Sequence, residues 1–159
     1  MAICNLSELP IQIKAGECLL GLDHGSVVIG IAISDPNLRV ASPLTSLVRK
    51  KFDEDAAALV KIIKERHIGG LIVGLPKNMD GSEGPSAQSA RAFVRNLLQR
   101  GLLPHPAMPI CFWDERLSSA AVERFMIEDN MSRKRRDAVI DKAAAAYILQ
   151  GALDRLHHI

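Results

Sequence analysis

The chain has 159 residues, 48% of them hydrophobic and 24% charged, with a formal net charge of +2. That length suits one domain able to bury well over half of its unfolded surface, and the composition excludes a disordered or fibrous chain. So small a net charge gives no molecule-wide field that would by itself demand a polyanion. Where the charges sit therefore matters more: Arg133, Lys134, Arg135 and Arg136 form one basic block, and Arg49, Lys50 and Lys51 a lesser one.

Residues 1–16 have no basic region followed by an apolar stretch, so they are not expected to be a secretory signal; they are expected to form a loosely ordered extension. No apolar run approaches the ~20 residues that span a bilayer, so a cytoplasmic protein without a membrane partner is expected. The three cysteines (Cys4, Cys18, Cys111) lack metal-ligand spacing, and two lie in apolar runs. They are expected to be reduced thiols behaving as small hydrophobes.

Residues 18–23 read as a buried strand, and the β-branched run 27–33 follows across a short turn containing Gly25, the pattern of a hairpin. A third strand fits within residues 39–48 despite Pro43. Helical spacing then takes over in residues 54–66, with Ala57, Leu59, Val60, Ile62 and Ile63. Leu71–Val73 reads as a short strand ending at Gly74-Leu75-Pro76, and a polar loop covers 77–84. Pro85 suits the first turn of a helix carrying Ala87, Ala90, Phe93, Val94, Leu97 and Leu98. A strand is expected over 109–113, and Ser118 or Ser119 could cap a helix reaching about Asp129. A last helix is expected over 140–156. The sum is an α/β domain: a mixed sheet of about five strands, three antiparallel and then parallel, with helices on both faces.

Three acidic positions, far apart in the chain, carry the chemistry. Asp23 closes the first apolar run, Asp114 and Glu115 follow the strand at 109–113, and Asp141 lies on the same helical stripe as Ala144, Ala145, Ile148 and Leu149. Each has an ordinary reading: a turn cap for Asp23, a strand-end pair for Asp114-Glu115, and a helix start favoured by the macrodipole for Asp141. Burying such carboxylates singly is costly, but several that converge can hold a divalent cation. Adjacent strand residues face opposite sides, so only one of Asp114 and Glu115 can share a site with Asp23. The other would pair with a base such as Arg116. Carboxylates meeting at a sheet edge suit two Mg²⁺ (or Mn²⁺) ions roughly 3.5–4 Å apart, an arrangement that hydrolyses phosphodiesters.

Four blocks then stand in register: Gly21-Leu22-Asp23-His24-Gly25 with Ile29-Gly30-Ile31-Ala32; Val73-Gly74-Leu75-Pro76 with Asn78-Met79-Asp80-Gly81; Asp114-Glu115-Arg116-Leu117-Ser118-Ser119; and Asp141-Lys142-Ala143-Ala144. Together the chain resembles the YqgF/RuvX family. The resemblance implies an RNase H-like fold and a bacterial cytoplasmic nuclease related to Holliday junction resolvases and implicated in maturing the 5′ end of pre-16S rRNA. It places the family's acidic residues on Asp23, Glu115 (favoured over Asp114) and Asp141, and sets the 74–81 loop beside substrate. The substrate contacts expected are Gly25, Asn78, Gly81, Arg116 and the block Arg133, Lys134, Arg135 and Arg136, whose ordinary reading is a solvated loop between helices.

Val27-Val28 stand where the family usually carries a basic residue. The partner expected is nucleic acid, either pre-16S rRNA within ribosomal precursor particles or branched DNA, bound by a monomer or a homodimer. Two other classes compete. A non-catalytic RNA-binding assembly factor would gain nothing from an acidic cluster. An actin-like ATPase needs a second Asp-x-Gly hairpin, which this chain lacks.

Overall fold

A computed structural model of the protein describes residues 3–105, 107–117 and 133–158, the side chains of 117 and 133–141 excepted. Five strands form one mixed sheet: β1 (Cys18–His24), β2 (Val28–Ser34), β3 (Ala41–Val48), β4 (Ile68–Leu75) and β5 (Ile110–Asp114). Their order is β3-β2-β1-β4-β5, with β1–β2 and β2–β3 antiparallel and β1–β4 and β4–β5 parallel. This is the expected architecture. The first two hairpin partners need only short turns, whereas each parallel step needs a crossover long enough to hold a helix.

Those crossovers are α2 (Phe52–Glu65) and α3 (Pro85–Gln99). Both cover one face of the sheet, where Leu20, Leu22, Ile31, Leu71, Val73 and Ile110 meet Leu59, Ile63, Phe93, Val94 and Leu97. The other face is covered by α4 (Arg133–Leu156), whose Ala145, Ile148, Leu149, Ala152 and Leu153 pack on Leu19, Ala32, Ile72, Cys111 and Trp113. Both faces of β1 and β4 are thus buried, which is why those strands read as unbroken apolar runs rather than alternating ones.

Several boundaries differ from the sequence reading, each for a local reason. β4 starts at Ile68, ahead of the expected Leu71, because Gly69 and Gly70 extend the strand instead of breaking it. A side chain at Gly70 would sit 3.0–3.2 Å from Leu19, Leu9 and the Pro109 carbonyl. α4 begins at Arg133, seven residues before the expected Ile140, so the basic block belongs to a helix and not to a loop. Pro43 is accommodated because β3 is an edge strand, and the register slips beside it, between Ile31 and Ala32. The helix expected from Ser118 or Ser119 to Asp129 lies outside the described residues.

The N-terminal segment is docked rather than loose. A 3₁₀ turn over Leu6–Glu8 leads into α1 (Leu9–Gln12), Leu9 is fully buried, and the Cys4 amide donates to the Ile110 carbonyl at 2.9 Å. Cys4, Cys18 and Cys111 are all free thiols. Among the described residues no helix is long and apolar enough to cross a membrane.

Candidate functional site at the C-terminal ends of β1, β4 and β5

Two glycines set the geometry. At Gly21 in β1, a Cβ would lie 2.7 Å from Leu149 Cβ and 3.0 Å from the Ala145 carbonyl. At Gly74 in β4, it would lie 2.7 Å from Ile148 Cδ1 and 3.3 Å from Glu115 Cγ and Cδ. The backbone of α4 therefore lies directly on the sheet, and Glu115 folds back over Gly74 on the α4 side.

Asp23 shares that side. It stands two residues beyond Gly21, and side chains along a strand alternate faces. The β1–β4 register pairs Leu22 with Val73, so Asp23 and Gly74 are the next residues along each strand. Asp23 and Glu115, both half-buried, consequently flank Gly74 on one face of the sheet. The backbone of Asp141 lies one helical turn, about 6 Å, before Ala145 on the helix that covers this face. Its side chain lies outside the described part, and the described residues alone bring no three His, Cys, Asp or Glu together as a metal cluster.

Asp114 points the other way. Its carboxylate is gripped by Arg116, with Nη2 to Oδ2 at 2.6 Å and Nε to Oδ1 and Oδ2 at 3.1 and 3.0 Å, and it accepts the Arg116 amide at 3.0 Å. This guanidinium holds the Asp114 carboxyl below the usual carboxylate range. Arg116 Nη1 also donates to the Met79 carbonyl at 3.3 Å. Arg116 is thus a staple joining the end of β5 to the loop after β4, the pairing with the spare acid that the sequence offered for it.

The loop itself is built by its own side chains. Asn78 Nδ2 donates to Ser82 Oγ at 2.9 Å, and Asp80 Oδ1 accepts both the Ser82 amide at 2.9 Å and its hydroxyl at 2.6 Å. Gly81 has φ +89°, a left-handed conformation that favours glycine, and its amide donates to Asn78 O at 2.9 Å. Asn78 and Gly81 therefore shape this loop, leaving Met79 at its tip 93% exposed. Gly25 likewise serves the β1–β2 turn, because a Cβ there would meet the Val28 carbonyl at 2.6 Å.

Sequence reasoning missed the opposite side of the β1 end. His24 is 7% exposed, stacks on Phe93 with ring centroids 5.0 Å apart, and has no hydrogen-bond partner for either ring nitrogen among the described residues. Burial, followed by the charge of Arg49, lowers its pKa to about 4. Arg49 Nη1 donates to Gly25 O at 3.1 Å and to Ser26 O at 3.4 Å. The available signal was alternation: if Asp23 faces α4, then His24 must face α3.

This sheet order, with α2 and α3 on one face and α4 on the other, defines an RNase H-like α/β domain. Its fold is similar to that of Thermus thermophilus RuvC in complex with Holliday junction substrate (TM-score 0.52, 12% identity, 89% of this chain and 96% of the other). It is also similar to the yeast mitochondrial Holliday junction resolvase (TM-score 0.51, 10% identity, 96% and 86%). A family profile described as "RuvX: Holliday junction resolvase" matches residues 17–155, and the chain belongs to that family. Relatives named "Putative pre-16S rRNA nuclease" include those of Rhodospirillum centenum (56% identical, 98% of this chain and 83% of the relative) and Chelativorans sp. (54%, 98% and 94%).

Proposed function

We propose that this protein is a metal-dependent endonuclease that hydrolyses phosphodiesters and matures the 5′ end of pre-16S rRNA in the cytoplasm, on ribosomal precursor particles. The observation that carries the reading is the placing of Asp23 and Glu115 on one sheet face on either side of Gly74, beneath α4. Asp23, Glu115 and Asp141 would hold Mg²⁺ or Mn²⁺, whose preference for oxygen ligands suits an all-carboxylate set. When bound, the metal would supply an activated water and charge stabilisation at the phosphate.

The chain's own residues do the positioning. Gly21 and Gly74 let α4 and Glu115 approach the strand ends, which fixes the spacing of the carboxylates. Asp114 stays out of the ligand set and orients Arg116, and Arg116 holds the 76–84 loop beside the site. Arg133, Lys134, Arg135 and Arg136 would grip phosphates along the substrate without reading its bases.

A second reading, resolution of four-way DNA junctions, is favoured by the description of the matching family. One assay separates the two: cleavage of a labelled pre-16S 5′-leader beside a synthetic four-way junction, with Mg²⁺ or Mn²⁺ and with EDTA. Metal-dependent cleavage of the leader alone supports the first reading, and cleavage of the junction alone supports the second. Binding of the leader without cleavage of either would make the protein a non-catalytic assembly factor.

A further inference from the structure

A second cavity opens at the same end of β1, on the face away from Asp23 and Glu115. Its volume is about 220 Å³, and His24, Gly25, Ser26, Arg49, Pro85, Ser86 and Ser89 line it. Three features there ask for an anion. His24 is buried with both ring nitrogens unpartnered among the described residues, and a neutral imidazole carries one N–H that can donate. Among the described residues, the buried Nε of Arg49 has no partner, and Nη1 donates to the carbonyl oxygens of Gly25 and Ser26. The 15-residue helix α3 starts here with no side-chain cap and no acidic residue in its first turn. By contrast, α2 places Asp53, Glu54 and Asp55 in its own first turn.

Both neighbouring carboxylates have partners of their own, and the charge of Asp55 also reaches His24. Glu83, just before α3, is held by Arg91 at 2.6 and 2.8 Å. Asp55 accepts the Lys50 amide at 3.0 Å. Free amides at a helix start, a guanidinium and an N–H donor converging on one cavity make a phosphate-sized anion site.

We propose that this cavity binds a phosphate of the nucleic-acid substrate next to the scissile one, held by Arg49, His24 and the first turn of α3. Asp23 and His24 are consecutive and face opposite sides, so one strand's thickness separates the two sites. A backbone crossing the end of β1 can present one phosphate to each. The Arg49 amide donates to the Val27 carbonyl at 2.8 Å, so β3 delivers a cation across the hairpin from that position. The substrate role rests on the nuclease reading, whereas the anion site does not.

The test uses the full-length protein in EDTA, where no metal-dependent cleavage can occur. Inorganic phosphate and a single-stranded RNA oligonucleotide are titrated separately while the amide signals of Ser86 and Ala87 and the ring signals of His24 are followed by NMR. Both probes are expected to shift these signals. Ser86→Asp supplies its own charge to the exposed helix start, so it should fold at least as well as the parent. It should abolish the phosphate shifts and lower the slope of log K against log salt by roughly 0.7, one phosphate contact on a single strand. His24→Phe keeps the stacking on Phe93 and should weaken the oligonucleotide severalfold.

Absence of shifts with either probe overturns the site. Shifts with phosphate alone, with the salt slope of Ser86→Asp unchanged, overturn the substrate role and leave a pocket for free phosphate. Failure of the parent protein to cleave any substrate, with the shifts intact, overturns the nuclease reading and leaves the anion site standing.

Discussion

The guanidinium of Arg116 lies across the carboxylate of Asp114 and reaches on to the Met79 carbonyl, so a single side chain ties the end of β5 to the loop after β4. Two carboxylates that are neighbours in sequence thereby take different work. Asp114 orients a cation, while Glu115 turns to the α4 face over Gly74.

Changing Arg116 to Gln should release the loop. Hydrogen exchange at Gly81 and Ser82 should speed up and cleavage should fall, with little change in global stability because the pair is partly exposed. Arg116→Lys should rescue little, since a lysine cannot span both Asp114 oxygens and the Met79 carbonyl at once. The Asp114 pKa is depressed, so this staple is complete above the ordinary carboxylate range and is lost as pH falls through the lowered value. The protection of the Gly81 amide, taken relative to its intrinsic exchange rate at each pH, should therefore fall on acidification in the parent and not in Arg116→Gln. A loop equally protected in both proteins would remove the staple.

Asp23→Asn and Glu115→Gln should each abolish cleavage while leaving the fold intact, and should modestly raise thermal stability in EDTA by relieving carboxylate repulsion. Asp114→Asn should retain measurable cleavage and show the loosened loop of Arg116→Gln. If Asp114→Asn were as inactive as Glu115→Gln, the division of roles between the two acids would be wrong.

The two glycines under α4 should respond differently to a methyl group. Gly21→Ala meets a Cβ and a backbone carbonyl, neither of which can swing aside, so a loss of about 1–3 kcal/mol is expected. Gly74→Ala meets the tip of Ile148 and the stem of Glu115. It should lose less stability and more activity, because Glu115 has to shift. Chemical denaturation beside a cleavage assay separates the two effects.

Cys111 is buried, and burial pushes its thiol pKa up to about 12. With so little thiolate at pH 8, it should resist iodoacetamide in the native protein and react only after unfolding. Mass spectrometry of labelled native and denatured samples reads this directly. Rapid native labelling at Cys111 would show that the α4 face opens.

Arg135→Ala combined with Arg136→Ala should weaken binding to all nucleic-acid sequences alike and flatten the salt dependence. A change in sequence preference would instead mean that these residues read bases.

Much of the fold was legible in the sequence because β1, β2 and β4 are buried on both faces and leave long apolar runs. Gly69-Gly70 misled the reading of β4, since glycines that break a strand and glycines that admit a crowded neighbour look the same in one dimension. The acidic face was legible through alternation, which gave Asp114 and Glu115 opposite sides and left Arg116 to pair with the spare acid. What alternation could not supply was the partner of His24 on its own face, because the start of α3 and Phe93 come about 60 to 70 residues later in the chain. Arg49 was noticed only as part of a charge run, for the same reason.

The order in which the chain is written has a consequence for when it can act. Strands β1 to β3 are made well before the helix that seals them: Gln150 bonds the Ala41 amide and the Arg39 carbonyl, and His157 meets the Leu38 carbonyl, across sequence separations of 109 to 119 residues. Asp141 travels with that helix. A nascent polypeptide emerging from the ribosome would therefore display Asp23 and Glu115 on an unsealed sheet, and the proposed acidic site would be completed only after α4 had been made.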